Sequence, residues 1–473
     1  MKCAVRCAFV LILSVMVGGK ASAQWSPDPS KNLALSDKSD GADQVQPKVK
    51  PLPDHGWYVS WFDSDPQNPP PVGYSVYLQR LNPGGVEQFK HDGLEVAHLS
   101  NSSTEDYGLD IDTDGNALLA FLDTREGSNQ QVTAAKISAA GKALWGPRGV
   151  QLTRGSAHTN GLPKIAGTSD GNIVVAWISD SNTILQKLNA SGKPQWGKGV
   201  VLSKPRYYYW LADLHAADNG SVIVSWVRNK GFGSNNQLLA NKLSATGKLL
   251  WGRNHVTLFD TGSLQSGSFP YFVPDGKGGA VFSWYTSSPA LQCFAQHILA
   301  DGSEAFPHNG SPASMNATNV RVDPAASYRA ATDEVFLVWT EEDSHQILNG
   351  IYAQKFSPKG GRRWGQDGLA IVELGSDQQI LPSNVQVGCG MLAFWIDVAG
   401  FGSATIQATR LEDNSKTKCA QFPVSTAKSN KGRPDADIVR ATGLSAIAFE
   451  DDRLGSNGIY IQNVNNDCTL GPK

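Results

Sequence analysis

Long hydrophobic runs are scarce in this sequence of 473 residues, and the one that stands out lies near its start. That run, CAFVLILSVMV (7–17), is shorter than the roughly 20 apolar residues that a membrane-spanning helix needs. It follows Lys2 and Arg6 and precedes small residues at 21–23, an arrangement typical of a cleaved signal peptide. We therefore expect residues 1–23 to be removed, the mature protein to be periplasmic or secreted, and no segment to insert in a membrane.

The sequence has no excess of either charge, with 41 Lys and Arg against 43 Asp and Glu and a net charge of −2. Nucleic acids are bound through concentrated basic charge, so we expect no nucleic-acid partner. The patterns that mark phosphate loops, dinucleotide folds, zinc hydrolases and serine hydrolases do not occur. These gaps leave the catalytic residues unknown and lead us to expect no cofactor and no metal ion.

Cysteine is also scarce, and two of the six cysteines lie in the signal peptide. The mature chain keeps four: Cys293, Cys389, Cys419 and Cys468. An even number in an exported protein permits disulfides. Cys293 lies in an alternating strand pattern, which predicts a buried free thiol, whereas the other three lie in or near predicted turns. Several pairings stay open among those three, and Cys389 with Cys419 is one of them.

Helical periodicity is missing too, and the sequence instead has abundant Gly (48), abundant Trp (13) and a repeated unit. One copy is DGNIVVAWISD (170–180) followed by ILQKLNASGKPQWGKGVVLS (184–203). Another is DEVFLVWTEED (333–343) followed by IYAQKFSPKGGRRWGQDGLAIV (351–372). Each copy contains short alternating strands joined by Gly-rich turns, a pattern that indicates a repeated four-stranded sheet.

Two aromatic positions can be followed through the repeats. The first occurs eight times: Trp61, Phe121, Trp177, Trp226, Trp284, Trp339, Trp395 and Phe449. The second occurs seven times: Phe89, Trp145, Trp196, Trp251, Phe306, Trp364 and Phe422. The last repeat has no second aromatic, but the N-terminal WSPDPSKNLALS (25–36) resembles the end of an ordinary repeat, as in WGKGVVLS (196–203). We therefore predict that the N-terminal strand completes the last repeat.

These observations predict an all-β protein, a single eight-bladed β-propeller with four antiparallel strands in each blade. A ring of blades leaves no apolar end exposed, provided that the first and last blades join. We expect the closing outer strand within 24–36, a linker at 37–45 and the propeller at 46–473. The expected blades are 46–100, 101–153, 154–203, 204–259, 260–315, 316–373, 374–426 and 427–473 with 24–36.

The repeats resemble those of bacterial exported β-propeller proteins, which have DG-x-GG-x-x-V-x-W, Y-A-Q-x-L and G-x-x-x-W motifs. DGKGGAVFSW (275–284), IYAQKF (351–356) and SATGKLLW (244–251) carry the resemblance, which extends over 46–473. It implies the architecture but not a chemistry, because propellers serve both as binding scaffolds and as enzymes. SATGKLLW also resembles a turn of quinone-dependent dehydrogenase propellers, a minor alternative that the missing adjacent-cysteine pair disfavours.

One face of the propeller is predicted to carry the binding site. If the strands are lettered A to D from the axis outward, the B–C and D–A loops share a face, and their lengths vary more than those of the opposite turns. PRYYYWLADLH (205–215) on this face suggests either a ligand platform or aromatic packing between blades. The candidate ligand-binding residues are Arg206, Tyr207, Tyr208, Tyr209, Trp210, His158, Tyr107, Tyr271 and Arg433. Equivalent positions hold Glu105, Asp106, Phe269 and Asp435.

Several acidic residues receive a structural interpretation. Asp63, Asp123, Asp397 and Asp451 follow the strand-B aromatic by two positions, and such recurrence favours loop closure through backbone N–H groups. DIDTDGN (110–116) resembles the start of a calcium loop, but Phe121 takes the place of the required Glu. EEDSH (341–345) is interpreted as a solvated acidic loop.

Two functions from different classes fit the sequence. The first is a binding module for a glycan or an extracytoplasmic protein, acting as a monomer through the loop-bearing face. The alternative is a carbohydrate-active enzyme at the channel mouth. A polysaccharide lyase would need a base, such as Tyr208 or His158, and a cation, such as Arg206 or Arg433. A glycosidase would need two carboxyl groups at a suitable separation, and the sequence does not place such a pair.

Overall fold

The computed structural model describes residues 24–64, 73–101, 106–125, 130–155, 157–400 and 402–473. Within these residues, 33 β-strands form eight separate sheets, each with its strands in meander order. These sheets are the blades of an all-β, eight-bladed propeller, so the predicted fold class is confirmed. In the described residues, no helix has the length and apolarity needed to cross a membrane.

The first four blades contain strands A to D in chain order. Blade 1 contains β2 (Gln44–Pro51), β3 (Trp57–Ser64), β4 (Tyr74–Leu81) and β5 (Leu94–Asn101). Blade 2 contains β6 (Gly108–Ile111), β7 (Ala117–Asp123), β8 (Gln131–Ile137) and β9 (Val150–Gln151). Blade 3 contains β10 (Asn160–Gly167), β11 (Ile173–Ser179), β12 (Asn182–Leu188) and β13 (Val200–Leu202). Blade 4 contains β14 (Tyr208–Ala216), β15 (Val222–Asn229), β16 (Gln237–Leu243) and β17 (Val256–Phe259).

The other four blades include one with an interrupted inner strand. In blade 5, the two pieces β18 (Ser263–Leu264) and β19 (Phe272–Pro274) precede β20 (Ala280–Ser288), β21 (Gln292–Ile298) and β22 (Ser311–Pro312). Blade 6 contains β23 (Val320–Arg329), β24 (Glu334–Glu342), β25 (Asn349–Phe356) and β26 (Leu369–Gly375). Blade 7 contains β27 (Gln378–Val387), β28 (Gly390–Val398), β29 (Ala404–Leu411) and β30 (Thr417–Ser425). Blade 8 contains β31 (Lys431–Val439), β32 (Leu444–Asp451), β33 (Gly458–Val464) and β1 (Leu33–Ser36).

The core lies between the blades rather than inside one sheet. Strands B and C are covered on both faces by neighbouring blades, so they are almost continuously apolar; every residue of β7, ALLAFLD, is buried. The eight strand-B aromatics of the sequence repeat are all buried in this core. The repeat therefore corresponds to one layer of packing for each blade.

The second aromatic of a repeat links its blade to the next one. The Trp251 ring packs against Gly302, and its Nε1–H donates to the Ala300 carbonyl at 3.0 Å. Trp145 makes the same contacts with Gly192 and with the Ala190 carbonyl, also at 3.0 Å. A Cβ at Gly302 would collide with the Trp251 ring, and a Cβ at Gly192 would collide with Val150 and press on the Trp145 ring, which explains the Gly in this turn.

The N-terminal segment closes the ring, as the sequence predicts. Strand β1 pairs antiparallel with β33 as the outermost strand of blade 8. Trp25 is 3% exposed, and it packs on Gly85 of blade 1 while donating to the Pro83 carbonyl at 2.9 Å. Asn32 adds a hydrogen bond to the Val424 carbonyl of blade 7 at 2.9 Å. The segment therefore contacts three blades at once.

The disulfide joins Cys419 to Cys468, so the pairing of Cys389 with Cys419 is wrong. Cys389 lies in the turn between β27 and β28, about 10 Å and two strands away from the outer strand β30 that carries Cys419. That separation exceeds the Cα distance that a disulfide can bridge. Cys468 instead lies in the blade 8 segment that faces β30, with a Cα–Cα distance of 6.4 Å. The prediction that Cys293 is a buried free thiol is confirmed.

The recurrent strand-B acids form two kinds of contact. Asp123 and Asp451 accept the backbone N–H groups of Arg125 and Arg453 at 2.9 and 3.0 Å and also bind their guanidinium groups, so they close loops as predicted. For Asp63 and Asp397 the described residues show other contacts. The Asp63 carboxylate binds Lys38 Nζ at 2.6 Å, and the Asp397 carboxylate accepts a hydrogen bond from the Gln379 amide at 3.0 Å.

The two other acidic segments are structural as well. In the 110–116 turn, Asp112 accepts two backbone N–H groups and binds Lys136 Nζ at 2.6 Å, so an ammonium group lies where a calcium ion would need space. In the loop at 341–345, Glu341 is not solvated as expected. It is 2% exposed and forms an ion pair with Arg321 at 2.9 Å, because its strand position points into the core.

Candidate functional site: the channel mouth

A recurrent bulge brings particular side chains into the central channel. Five inner strands carry an Xaa-Pro step at which the ladder register shifts. The residues before proline all have φ between 42° and 54°: Gln46, Leu162, Asp323, Leu381 and Arg433. The residues after proline all line the channel: Lys48, Lys164, Ala325, Ser383 and Asp435. A bulge of this kind re-aims a side chain, here toward the axis.

These inner strands enclose a cavity of about 990 Å³ on the axis. Blades 6 and 7 contribute several small side chains to its wall, such as Ala325 and Ser383, beside the carboxyl of Asp323, whereas most of the charged side chains come from blades 8, 1, 2 and 3. The inner strands of blades 8, 1, 2 and 3 therefore form a charged wall of the cavity. A cavity of this size suits a small organic ligand or the end of a longer one.

The charged wall is built around Asp106, which precedes β6. Its carboxylate binds Lys48 Nζ at 2.8 Å, forms an ion pair with Lys164, and accepts the Tyr271 hydroxyl proton at 3.0 Å. We call Lys48, Asp106 and Lys164 the lysine–aspartate cluster. Burial by itself would raise the pKa of Asp106, but the ammonium groups of Lys164 and Lys48 outweigh burial and hold this pKa far below its usual range. Asp106 is therefore ionised at every physiological pH.

Tyr271 reaches this cluster from the far side of the channel. It belongs to the stretch 265–271, which separates β18 from β19 in blade 5, and all seven residues of this stretch line the cavity. The side chain remains 58% exposed, and its ring lies 4.8 Å from Lys164 Nζ. Tyr271 therefore lies against this cluster, with its hydroxyl on Asp106 and its ring beside Lys164, while both lysines still line the cavity.

A second acidic position lies on β31 of blade 8. Asp435 is half-buried, and its carboxylate accepts the Val49 N–H at 2.7 Å. Burial raises the pKa of Asp435 to about 6, Lys48 opposes the rise, and the Asp437 carboxyl adds to it. This group therefore changes its charge close to neutral pH, unlike Asp106.

An aspartate–histidine pair forms part of the channel floor. Asp213, 4% exposed, accepts a hydrogen bond from His215 Nε2 at 2.9 Å and another from the Phe272 N–H at 3.1 Å. Burial opposes ionisation of Asp213, but the His215 charge and these hydrogen bonds bring its pKa below the usual value. In the described part of the chain, His215 Nδ1 makes no hydrogen bond, so it is available to a ligand. His215, Lys50 and Asp110 also line a second cavity of about 360 Å³, toward the A–B turns.

Several of the predicted site residues do line the main cavity: Asp106, Tyr107, Phe269, Tyr271, Arg433 and Asp435. Two of them are occupied by structural contacts. Tyr107 is 1% exposed, and its hydroxyl binds the Gln46 carbonyl and Ser60; Arg433 forms an ion pair with Glu450 at 3.1 Å. Glu105 lies outside the described residues.

The residues of the predicted aromatic platform do not line the cavity itself. Tyr209 is buried and stacks on Trp226, as in the packing interpretation. Tyr207 lies beneath cations, with Lys204 Nζ 4.8 Å from its ring. Arg206 is exposed at the start of the segment, and His158 is exposed beside Asp180 on the rim.

Two aromatics of that segment nevertheless lead to the cavity. Tyr208 is 42% exposed, and its ring centre lies 5.6 Å from that of Trp210. Trp210 in turn lies 6.3 Å from Phe269, which lines the cavity. We call Tyr208, Trp210 and Phe269 the aromatic strip. It forms a continuous path from the rim into the channel.

Four residues of the cavity were not predicted from the sequence: Lys48, Lys164, Asp213 and His215. A signal for the two lysines is present, because Pro47 and Pro163 occupy the same place in their repeats and each precedes a lysine. A proline repeated in the inner strand marks the bulge, and the next residue then faces the axis. Asp213 and His215 alternate on β14, a spacing that also places both on one face.

One group within the described residues has the composition of a metal site, but it lies away from the channel. Ligand atoms of Asp37, His91 and Asp92 lie within 4.8 Å of one another on the outer side of the blade 8 and blade 1 junction. His91 already binds Asp37 at 2.9 Å and Glu87 at 3.2 Å, and Ser36 donates to Asp92 at 3.0 Å. These contacts explain the cluster without an ion.

The chain matches no protein-family model, and no curated protein matches its sequence. Among solved structures it is similar to the α-L-arabinanase of Penicillium chrysogenum complexed with arabinobiose, at 10% identity over 93% of this chain and 99% of that chain, with a TM-score of 0.42. It is also similar to the GH93 α-L-arabinofuranosidase of Fusarium graminearum, at 9% identity over 92% of this chain and 97% of that chain, with a TM-score of 0.40. Prolyl oligopeptidase B of Galerina marginata is 12% identical over 87% of this chain and 55% of its own, with a TM-score of 0.47. Sequence identities and TM-scores this low assign no function to this chain.

Proposed function

We propose that this protein is an exported binding module that takes a glycan at the channel mouth. The observation that carries the proposal is the aromatic strip, which is partly exposed and runs directly into a polar cavity. Apolar faces of sugar rings pack on aromatic side chains, and sugar hydroxyls need many hydrogen-bonding groups. The strip and the charged wall supply both on a rigid scaffold.

The first prediction concerns the aromatic strip. Tyr208→Ala and Trp210→Ala should each weaken glycan binding by about fivefold or more, because each removes one stacking surface. A glycan array identifies the ligands of the native protein, and titration calorimetry then measures each variant. Leu144→Ala is the matched control, since Leu144 is equally exposed, at 42%, but lies on an outer turn. Binding that both aromatic substitutions leave unchanged would contradict the proposal.

A second candidate is a carbohydrate-active enzyme, which the pair of Asp213 and His215 favours. A buried carboxylate that holds one imidazole nitrogen leaves the other as a general base. Asp435, which lines the same cavity from blade 8 on the opposite side of the ring, retains a proton up to a pH of about 6 and has the character of a general acid. His215 would take a proton from the sugar or from a water molecule, and Asp435 would give one to the leaving oxygen.

The test of this second candidate is incubation of the native protein with acidic and neutral polysaccharides. New reducing ends indicate cleavage, and ultraviolet absorbance of an unsaturated product distinguishes elimination from hydrolysis. Turnover should fall by at least about 100-fold in His215→Gln and in Asp435→Asn, with Tyr208→Ala affected less. Absence of turnover with every polysaccharide that binds would leave the binding module as the function.

A further inference from the structure

The lysine–aspartate cluster carries more positive charge than its own carboxylate neutralises. Lys48 comes from blade 1 and Lys164 from blade 3, and both bind the single carboxylate of Asp106 between them. Within the described residues, neither ammonium group has another ion-pair partner at contact distance. Two cations and one anion give the cluster itself a net charge of +1, and Asp435, which acts on Lys48 through its charge, offsets part of it above a pH of about 6.

The same two lysines have N–H groups that make no hydrogen bond within the cluster. An ammonium group has three N–H bonds, and each lysine directs one of them to Asp106. Both ammonium groups also lie near aromatic faces, with Lys48 Nζ 5.2 Å from the Tyr107 ring centre and Lys164 Nζ 4.8 Å from that of Tyr271. An aromatic face attracts a cation but accepts no strong hydrogen bond. The remaining N–H groups are free to bind an anion.

Burial strengthens the electrostatic attraction between this positive charge and an anion in the cavity. The side chains of Lys48 and Lys164 are only 23% and 7% exposed, so water screens them little. Burial by itself opposes their ionisation, but Asp106 outweighs it and raises the pKa of both lysines. Both remain charged, and an anion that enters the cavity gains charge-assisted hydrogen bonds.

The surroundings favour an anion with a single charge. Asp435 and Asp437 lie on the neighbouring inner strand and line the same cavity. Their carboxyls repel a dianion such as phosphate more strongly than a carboxylate. The aromatic strip, which ends at Phe269, leads to the cavity and so places a sugar ring close to the lysines.

We infer that the lysine–aspartate cluster binds the carboxylate of an acidic sugar, so the glycan taken at the channel mouth contains uronic acid residues. The sugar part of this inference rests on the proposed function. The carboxylate part rests on Lys48 and Lys164 alone. Tyr271, whose hydroxyl binds Asp106 and whose side chain is largely exposed, lies at the boundary between the two parts.

The test compares two forms of one ligand by titration calorimetry. Oligogalacturonate and oligoglucuronate are the acidic probes, and their fully methyl-esterified forms are neutral probes of nearly the same shape. The native protein should bind at least one acid about tenfold more tightly than its ester. Lys164→Met should lower the affinity for the acidic probe to that for its ester. Lys48→Met replaces this variant if it does not fold.

Asp106→Asn separates a binding role from a structural one because it acts in the opposite direction. The amide keeps the shape of the side chain but removes the carboxylate that competes with a ligand anion for the two ammonium groups. The acid should then bind about fivefold more tightly, while binding of the ester stays the same. A loss of acid affinity in this variant would indicate that the cluster only holds the blades together.

The two proposals fail in different ways. Equal affinity for acid and ester in the native protein overturns the acidic-sugar inference but leaves glycan binding in place. Preference for a sulfated glycan over both acids also overturns it, since the anion is then a sulfate ester. If neither the acidic oligosaccharides nor their esters bind, the inference is overturned. The proposed function is then tested with the aromatic-strip variants and the neutral glycans that do bind.

Discussion

At the scale of single residues, Asp435 differs from Asp106 because its charge changes near neutral pH. Burial raises its pKa to about 6, and the charged groups that face it are Lys48 and Lys50 on β2 and Asp437 on its own strand. The folded protein therefore holds this proton more firmly than the unfolded chain does. The stabilisation is fully present below a pH of about 4 and is lost as the pH rises through about 6.

This linkage predicts the behaviour of Asp435→Asn. At pH 8 the variant should be more stable than the native protein by about 2 kcal/mol, because it no longer buries a carboxylate. At pH 4 the two should be nearly equal. Urea unfolding at both pH values measures the difference, and Asp114→Asn, at an exposed turn, provides the control. A difference that does not depend on pH would contradict this origin of the pKa shift.

At the scale of elements, the outer tryptophans stabilise the contacts between blades. Trp25 and Trp251 make equivalent contacts, each with a glycine of the next blade and with a backbone carbonyl at 2.9 or 3.0 Å. They differ in connectivity, because Trp251 continues a blade whereas Trp25 belongs to a segment that is separate in sequence from the rest of its blade. The loss of Trp25 should therefore free an element, and the loss of Trp251 should not.

The prediction is that Trp25→Ala and Trp251→Ala each lower the free energy of unfolding by about 3–5 kcal/mol. In Trp25→Ala alone, the amides of β33 should lose protection from hydrogen exchange, because β1 no longer stays paired with them. Mass spectrometry of exchanged peptides covering Gly458–Val464 measures this loss. Equal protection of β33 in the two variants would show that β1 remains paired without its tryptophan.

At the scale of the whole molecule, two connections meet at blade 8. Strand β1 completes the blade and reaches blade 1 through Trp25, while the disulfide attaches Cys468 of blade 8 to Cys419 of blade 7. Both restrain the same blade, so each should matter more when the other is missing. Contributions that share one element are not additive.

Cys419→Ser with Cys468→Ser should lower the stability by about 3 kcal/mol, and the loss should increase when Trp25→Ala is also present. Thermal unfolding of the four combinations gives the coupling energy. Cys389→Ser should change nothing, because this thiol is free and exposed. Strictly additive losses would indicate that the two connections act on independent regions.

Much of the architecture could be predicted from the sequence, because it depends on buried aromatics that recur in every blade. The missing second aromatic of the last repeat and the extra Trp25 were enough to predict the closing strand. The site was harder to predict. Inner strands are polar and irregular. Because successive side chains of a strand point to opposite faces, Tyr209 enters the core while Tyr208 faces outward, and the register that decides between them is not visible in the sequence. Contacts across the ring, such as Tyr271 with Asp106, have no local signal in the sequence.

The closing strand also affects the order of events during biosynthesis. Asn32 and Gln462, which are hydrogen-bonded side by side in blade 8, lie 430 positions apart in the chain. Seven blades are local hairpin arrays that form as soon as the ribosome has released them, whereas the eighth has to wait for nearly the last codon. Until then β1 is an unpaired strand that can pair with a second nascent chain, and a helper protein that covers it would protect the molecule.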